Sequence, residues 1–255
     1  MTTTLPAAVC LLAVALPMHG GGVGARREGA VAMQLIQIKE VRQTRLSGED
    51  SVFDRPGLTL TFALDLPAGS QLVGLREPES LRAVDSTGLD LTAIEPGFGG
   101  EPDYLNVVHA WEGQPKEATL TLALPRRRAE TVSVDAKIEA VVCSGTERVE
   151  VAATGAPAAL RTGVGGFPQA QVRVERKGGQ LQVIVTPGTV KPWIEDVAVV
   201  AGGAAHESSS AMWSDAQLVY FVAAPAEAAE KIRLTVRRDL RAIPVRLDLA
   251  EVALP

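Results

Sequence analysis

Two groups of arginines stand where an alternating apolar run meets a turn. The first group is Arg126, Arg127 and Arg128, and the second is Arg237, Arg238 and Arg241. Arginine presents a fixed fork of N–H donors that suits carboxylates, phosphates and sulfates, whereas a turn by itself favours Asn, Gly or Asp. We therefore predict that both groups form basic tips that bind an anionic polymer, lipid headgroups or a carboxylate-rich partner. The alternative is that both are ordinary solvated turns.

Aromatic side chains mark a second pair of candidate sites. The segments Glu95–Asp103 and Gly202–Asp215 are predicted to be loops, with Phe98 in the first and Trp213 in the second. An exposed aromatic ring on a loop can stack on a sugar ring or anchor a protein partner. Phe98 and Trp213 are therefore candidate binding residues. The alternative is that both rings fold back as lids over the core.

Side chains able to catalyse a reaction are few. The sequence contains no Gly-x-Ser-x-Gly elbow, no His-Glu-x-x-His motif and no phosphate-binding P-loop. The alternation around His109 predicts a histidine at the edge of the core, while His206 is predicted to lie in a loop. Cys143 directly follows a predicted strand, which favours a small packed residue over a nucleophile. We therefore predict a protein that is not an enzyme and uses no cofactor.

Acidic residues gather near one end of the first half of the chain, and carboxylate oxygens are ligands that Ca²⁺ prefers. These residues are Asp85, Asp90, Glu95, Glu101 and Asp103. However, Asp85-Ser86-Thr87-Gly88 is a turn signature, in which the Asp side chain accepts backbone hydrogen bonds and Gly adopts a positive φ. The EF-hand spacing is also absent. We predict turns here and no metal site.

The elements that position these residues are predicted to be β-strands. Apolar residues alternate with polar ones in Leu58–Leu66, and again on both sides of each arginine group, in Ala118–Val142 and Ile232–Leu249. A period of two places one face of a strand on a core and the other face in water. The last two segments therefore predict the same half-buried β-hairpin twice, with arginines at each tip.

The repetition extends beyond these two segments. Tyr104–Leu124 and Leu218–Arg238 align without a gap at an offset of 114 residues, which indicates an internal duplication of whole domains. Each half holds about seven short strands and almost no helical pattern, which predicts an all-β protein of two tandem antiparallel β-sandwiches. This strand spacing resembles the immunoglobulin-like and fibronectin-III-like modules of bacterial exported proteins. The resemblance is architectural, because the Cys–Trp–Cys framework of antibody domains is absent, and it implies no functional residue.

The N-terminal segment predicts export. Leu5–Met18 is almost wholly apolar and too short to span a bilayer as a helix, and small-residue cleavage sites follow it. We predict a signal peptide at 1–32, a first β-sandwich at 33–153, a linker at 154–169 and a second β-sandwich at 170–255. The predicted location is periplasmic or extracellular, with no transmembrane segment.

Charge and composition narrow the function further. A net charge of −5 argues against nucleic-acid binding, which normally requires a basic face. We predict an exported binding or structural protein that recognises a protein or an anionic envelope polymer through loops at the ends of its sandwiches. A carbohydrate-binding accessory module is the first alternative, and a hydrolase is the second.

Overall fold

The computed structural model describes residues 31–42, 56–94, 105–108, 117–177, 180–225 and 229–255. These residues form antiparallel β-sheets and one short 3-10 helix, which confirms the predicted all-β class. In the described ranges, no helix is long and apolar enough to cross a membrane. The predicted signal peptide lies outside the described residues except for Val31 and Ala32, and Phe98 and His109 also lie outside them.

Strands account for nearly all of the regular structure. Their bounds are β1 Ala32–Val41, β2 Gly57–Asp65, β3 Gln71–Leu75, β4 Ser80–Asp85, β5 Leu105–Val108, β6 Glu117–Leu122, β7 Thr131–Cys143, β8 Gly145–Ala152, β9 Ala158–Leu160, β10 Ala170–Lys177, β11 Gln180–Thr186, β12 Ile194–Ala201, β13 Ala204–Trp213, β14 Leu218–Val222, β15 Ala229–Arg238 and β16 Arg241–Ala253. The 3-10 helix, Gly188–Trp193, lies between β11 and β12.

The chain packs into two compact units. The first takes its residues from 1–67, 75–139 and 244–255, and the second from 68–74 and 140–243. The division therefore falls within β3, β7 and β16 and not at the predicted linker, 154–169. That segment carries β9, and it buries Leu160 and Val164 in the core of the second unit. Its only strand has three residues, too few to show an apolar period.

The first unit holds the sheet β1-β2-β6-β5 and most of a second sheet, in which β7 pairs with β16, β3 and β4. Alternate residues of β2, β6 and β7 are at most 1 % exposed, as the period of two predicts. They include Leu58, Leu60, Phe62, Leu120, Leu122, Val132, Val134 and Ile138. Burying each such side chain stabilises the fold by roughly 1.5–3 kcal/mol relative to leaving it exposed.

The second unit is built on one eight-stranded sheet in the order β8-β15-β12-β13-β14-β11-β10-β9. The two edge strands, β8 and β9, follow each other in the sequence, and the sheet nearly closes on itself. Its inner face packs a core of mainly Val, Leu and Ile, which agrees with the low aromatic content of 4 %. One aromatic pair adjoins this core, with the rings of Phe167 and Trp193 5.8 Å apart and edge to face.

The prediction of two hairpins is wrong, because β6 does not pair with β7 and β15 does not pair with β16. β6 pairs with β2 and β5, whereas β7 pairs with strands of a different sheet. In the same way β15 pairs with β12 and β8, whereas β16 pairs with β7. The error has a simple cause, because a strand that crosses to another sheet buries one face just as a hairpin strand does. Arg126, Arg127 and Arg128 therefore lie in a connection between sheets, whereas Arg237, Arg238 and Arg241 lie at the ends of the two strands that flank another connection.

The predicted loop Gly202–Asp215 is mostly the strand β13. Its first half pairs with β12 and its second half with β14. None of its ten residues is fully buried, so the sequence shows no apolar alternation although the backbone is paired. Gly202 and Gly203, with φ of +57° and +78°, form the two-residue turn that joins β12 to β13.

Candidate functional site

The ends of β10, β11, β13 and β14 lie side by side where β13 ends at Trp213. We call this region the Trp213 end of the second unit. Trp213 lies opposite Leu218 of β14, and Leu218 lies opposite Val185 of β11. Thr186, the next residue, lies opposite Gln171 of β10. The 3-10 helix follows β11 directly, so its residues start from this same end of the sheet.

The 3-10 helix is held against the turn that follows Trp213. The Gly188 N–H donates to the carbonyl of Asp215 at 3.0 Å, and the Ser214 N–H donates to the carbonyl of Gln217 at 2.9 Å. A Cβ atom on Gly188 would come within 1.7 Å of the Ser214 carbonyl oxygen, so only glycine permits this approach. The turn and the helix thereby hold Lys191 close to Trp213.

Trp213 is the most exposed large apolar side chain among the described residues, at 65 %, and the adjacent Met212 is 63 % exposed. The Lys191 Nζ lies 3.1 Å from the centre of the Trp213 ring, a cation–π contact that covers one face of the ring. Burial of the Lys191 ammonium lowers its pKa from the ordinary value. An exposed aromatic ring is thus held in one orientation, whereas Met212, the preceding residue of β13, points to the opposite face of the sheet.

The three side chains of the second arginine group have different surroundings. Arg237 donates from Nη1 to the carbonyls of Pro192 and Ile194, at 3.1 and 2.9 Å, and so stabilises the C-terminal end of the 3-10 helix. Arg241 donates to the Ser70 hydroxyl at 3.4 Å, and Arg238 is exposed. The prediction treated these three side chains as equivalent because their contacts depend on strands distant in the sequence.

The first arginine group does form an exposed turn. Arg126, Arg127 and Arg128 are all exposed, and the Arg126 carbonyl accepts a hydrogen bond from the Ala129 N–H at 2.9 Å. The backbone of this turn is also anchored, because the Arg126 N–H donates to Asp85 Oδ2 at 2.9 Å. The three side chains therefore project from a fixed backbone.

Asp85 organises this region of the first unit. It is 3 % exposed, and its Oδ1 atom accepts hydrogen bonds from the Thr87 N–H, the Thr87 hydroxyl and the Leu89 N–H at 2.8, 2.6 and 3.0 Å. Burial alone would raise the pKa of Asp85, but these bonds and the one from Arg126 outweigh burial and lower the pKa to about 2. Gly88 has φ +82°. The predicted Asp-Ser-Thr-Gly turn is confirmed.

The other predicted residues lie apart from these two places or outside the described chain. Phe98 and His109 lie outside the described residues, while His206 is half-buried in β13 opposite Val199. Cys143 is buried at the end of β7, and burial raises the pKa of its thiol. In the part of the chain that the structure describes, no three His, Cys, Asp or Glu side chains converge as metal ligands would.

Lys191 is the residue of the Trp213 end that the sequence did not identify. Pro187-Gly188 signals a turn, but nothing in the local pattern indicates that the helix after it packs beside the end of β13. Comparison of the chain with protein-family models, with curated proteins and with solved structures finds no match.

Proposed function

We propose that this is an exported, non-enzymatic binding protein of two immunoglobulin-like β-sandwich modules, which recognises a protein partner through the Trp213 end. The observation that carries the proposal is an exposed Trp213 whose ring is held in place by Lys191. The proposed modules rest on the two units, each with its own buried face or core. Export rests on the apolar segment Leu5–Met18.

The chemistry of this surface is that of a protein-binding site. Trp, Met and Arg are enriched in protein interfaces, and Trp is the residue type most often responsible for a large share of the binding energy. A tryptophan ring usually buries most of its surface, so a ring 65 % exposed leaves apolar area for a partner to cover. Because Lys191 already restricts the ring, binding loses less side-chain entropy than it would with a mobile ring.

The carbohydrate alternative receives less support. A sugar-binding platform is favoured by exposed rings arranged in one plane, and Trp213 is the one large exposed aromatic side chain among the described residues. Met212, the other large exposed apolar side chain of β13, points to the opposite face of the strand and has no flat ring.

A capture experiment tests the proposal. The full-length protein and its Trp213→Ala variant are immobilised, and the proteins retained from an envelope extract of the producing cell are compared. We expect one specific protein to be retained about tenfold or more weakly by the variant, since interface tryptophans typically contribute 2 kcal/mol or more. The melting temperature should change little, because the lost cation–π contact is worth about 0.5–1 kcal/mol.

Ile36→Ala is the matched control, because Ile36 is also an exposed apolar side chain, at 48 %, but lies on β1 of the first unit. It should retain the same protein as the unmodified chain. Equal capture by Trp213→Ala and Ile36→Ala would refute the proposal.

A second candidate function is supported by the anchored arginine turn. Arg126, Arg127 and Arg128 project into solvent from a backbone that Asp85 fixes, so three cations are presented together without any ordering of the backbone on binding. This arrangement favours an anionic envelope polymer as the ligand of the first unit.

A further inference from the structure

The second half of β13, Ser208–Trp213, lies at an edge of the paired strands in the second unit. β12 pairs with β13 only from Ala204 to Glu207, and from Ser208 onward β13 pairs with β14. The change of partner coincides with a register shift between Ser208 and Ser210, which is a β-bulge. Within the described residues, no strand pairs with the other side of this half of β13, and we call that side the open edge.

Two residues direct their backbone hydrogen-bonding groups to the open edge. The Ser214 N–H donates to the Gln217 carbonyl at 2.9 Å, which makes these two residues a hydrogen-bonded pair of the antiparallel ladder. Such pairs alternate with non-hydrogen-bonded ones along a ladder. Trp213 and, two residues earlier, Ala211 therefore direct their N–H and C=O groups away from β14. Groups spaced in this way are matched by the backbone of another extended strand.

Both faces of the sheet are apolar and exposed at this edge. Trp213 is in the row of Leu218, which faces the core, and Met212 points to the opposite face. A ligand on one face of the sheet would therefore contact only one of these two exposed side chains. A strand added to the open edge contacts both, because its own side chains alternate between the two faces.

The sequence of this edge also lacks the features that prevent strands from pairing with other chains. Natural edge strands often carry Lys, Pro or other charged residues, and β8, at one end of the same sheet, contains Glu147, Arg148 and Glu150. The segment Ser208–Ser214 contains no charged residue and no proline. A second copy of the same segment therefore brings no like charge against the first, which makes a second copy a suitable occupant.

We propose that two copies of this chain associate by antiparallel pairing of their open edges, about a two-fold axis at Met212. This register places Ala211 of each copy opposite Trp213 of the other, and each pair exchanges two backbone hydrogen bonds. Each Trp213 ring then lies beside a small side chain, while the two Met212 side chains meet on the opposite face. The inference rests on the proposed function, because it identifies the partner of the Trp213 end as a second copy.

A charge exchange at Met212 tests this pairing in the full-length protein. Met212→Lys and Met212→Glu should both fold normally, because the side chain is exposed. Each substitution places two like charges together at the axis, so it should raise the dissociation constant of the dimer about tenfold or more in sedimentation equilibrium. An equimolar mixture of the two variants should form dimers again, because opposite charges then meet.

Ile36→Lys is the matched control, because it places the same charge at an exposed apolar position on β1 of the first unit. It should leave the dissociation constant unchanged. A full-length protein that stays monomeric up to its solubility limit would overturn the inference. A mixture of the Lys and Glu variants that is no more dimeric than either alone would overturn it as well.

Ala211→Pro tests the backbone pairing independently of charge. It removes the N–H that points to the open edge and leaves the hydrogen bonds to β14 in place. Two donors are lost per dimer, so the dissociation constant should rise about tenfold or more, and an unchanged constant would contradict the proposed register. The Trp213→Ala capture experiment decides the proposed function separately. A monomeric chain that still retains a different protein through Trp213 would overturn this inference alone.

Discussion

Asp85 is the position where a single substitution tests the structure most directly. Asp85→Asn keeps the size of the side chain but replaces one acceptor oxygen with an NH₂ donor. If the remaining oxygen keeps its bonds to Thr87 and Leu89, the new NH₂ group faces the Arg126 N–H, which is also a donor. The reverse orientation loses the three bonds on Oδ1. Either way, a backbone N–H in a largely buried place loses its partner.

The expected loss can be worked out in two ways. The pKa of Asp85 falls from 3.8 to about 2 on folding, and a difference of nearly two units corresponds to about 2 kcal/mol in favour of the ionised folded state. Independently, a hydrogen bond to a charged group contributes about 1.5–3 kcal/mol. We therefore expect Asp85→Asn to lower the free energy of unfolding of the first unit by about 2 kcal/mol at neutral pH.

The pH dependence follows from the lowered pKa. The stabilisation by Asp85 is fully present above the unfolded pKa of 3.8, and it is lost as the pH falls through the folded pKa of about 2. The Asn variant has no proton to gain at this position. The difference in stability between the two proteins should therefore be constant at neutral pH and shrink towards the acid end.

Urea denaturation followed by circular dichroism measures the global effect, and hydrogen exchange of the Leu89 and Arg126 amides measures the local one. Both amides should exchange faster in Asp85→Asn. Asp248→Asn serves as the control, because Asp248 is exposed on β16 and its loss should change stability by no more than ~0.5 kcal/mol. A stability difference that does not vary between neutral and acidic pH would show that the Asp85 carboxylate is not held as described.

Two further predictions concern the arginine turn and the C-terminal strand. Replacing Arg126, Arg127 and Arg128 together with Ser should change stability by no more than ~0.5 kcal/mol, since the side chains are exposed and the Asp85 bond is to backbone. It should lower the salt concentration at which the protein elutes from a heparin column, and undiminished retention would exclude the turn as an anion site. Removing residues 245–255 should destabilise the first unit by roughly 5 kcal/mol or unfold it, because Val245, Leu247 and Val252 are buried. Urea denaturation checks this, with deletion of Pro255 alone as the control, and an unchanged midpoint would contradict the assignment of β16 to that unit.

The sequence was sufficient where the determining interactions are local. The Asp85 turn was predicted from four consecutive residues, because an Asx side chain bonds to backbone groups two to four residues later and Gly88 supplies the positive φ. The buried faces of β2, β6 and β7 were predicted from their period of two, which burial of one face imposes on any strand. The Gly202-Gly203 pair is a hairpin signal of the same local kind, and it stands at the start of a segment that was predicted to be a loop but is a strand.

The Trp213 end could be predicted only in part for the opposite reason. Trp213 was a candidate because of its residue type, but its orientation depends on Lys191, and the position of Lys191 depends on Gly188 packing against the turn after β13. None of these contacts produces a periodic pattern of apolar residues in the sequence. The bonds from Arg237 to the carbonyls of Pro192 and Ile194 are equally distant in the chain, which is why a structural arginine was interpreted as part of a basic tip.

Strand pairing is a feature of this fold that apolar alternation in the sequence does not predict. The segments aligned at an offset of 114 residues do correspond to strands of matching position, β5 with β14 and β6 with β15. Yet β5 pairs with β6, while β14 pairs with β11 and β13, and β15 pairs with β12 and β8. Apolar alternation indicates that one face of a strand is buried. It does not indicate which strand pairs with it, because the backbone hydrogen bonds between strands are made by every residue type except proline. Two segments can therefore share a face pattern and still join different neighbours. A duplication of the kind we propose must consequently be tested through strand pairing, and not through further comparison of the two patterns.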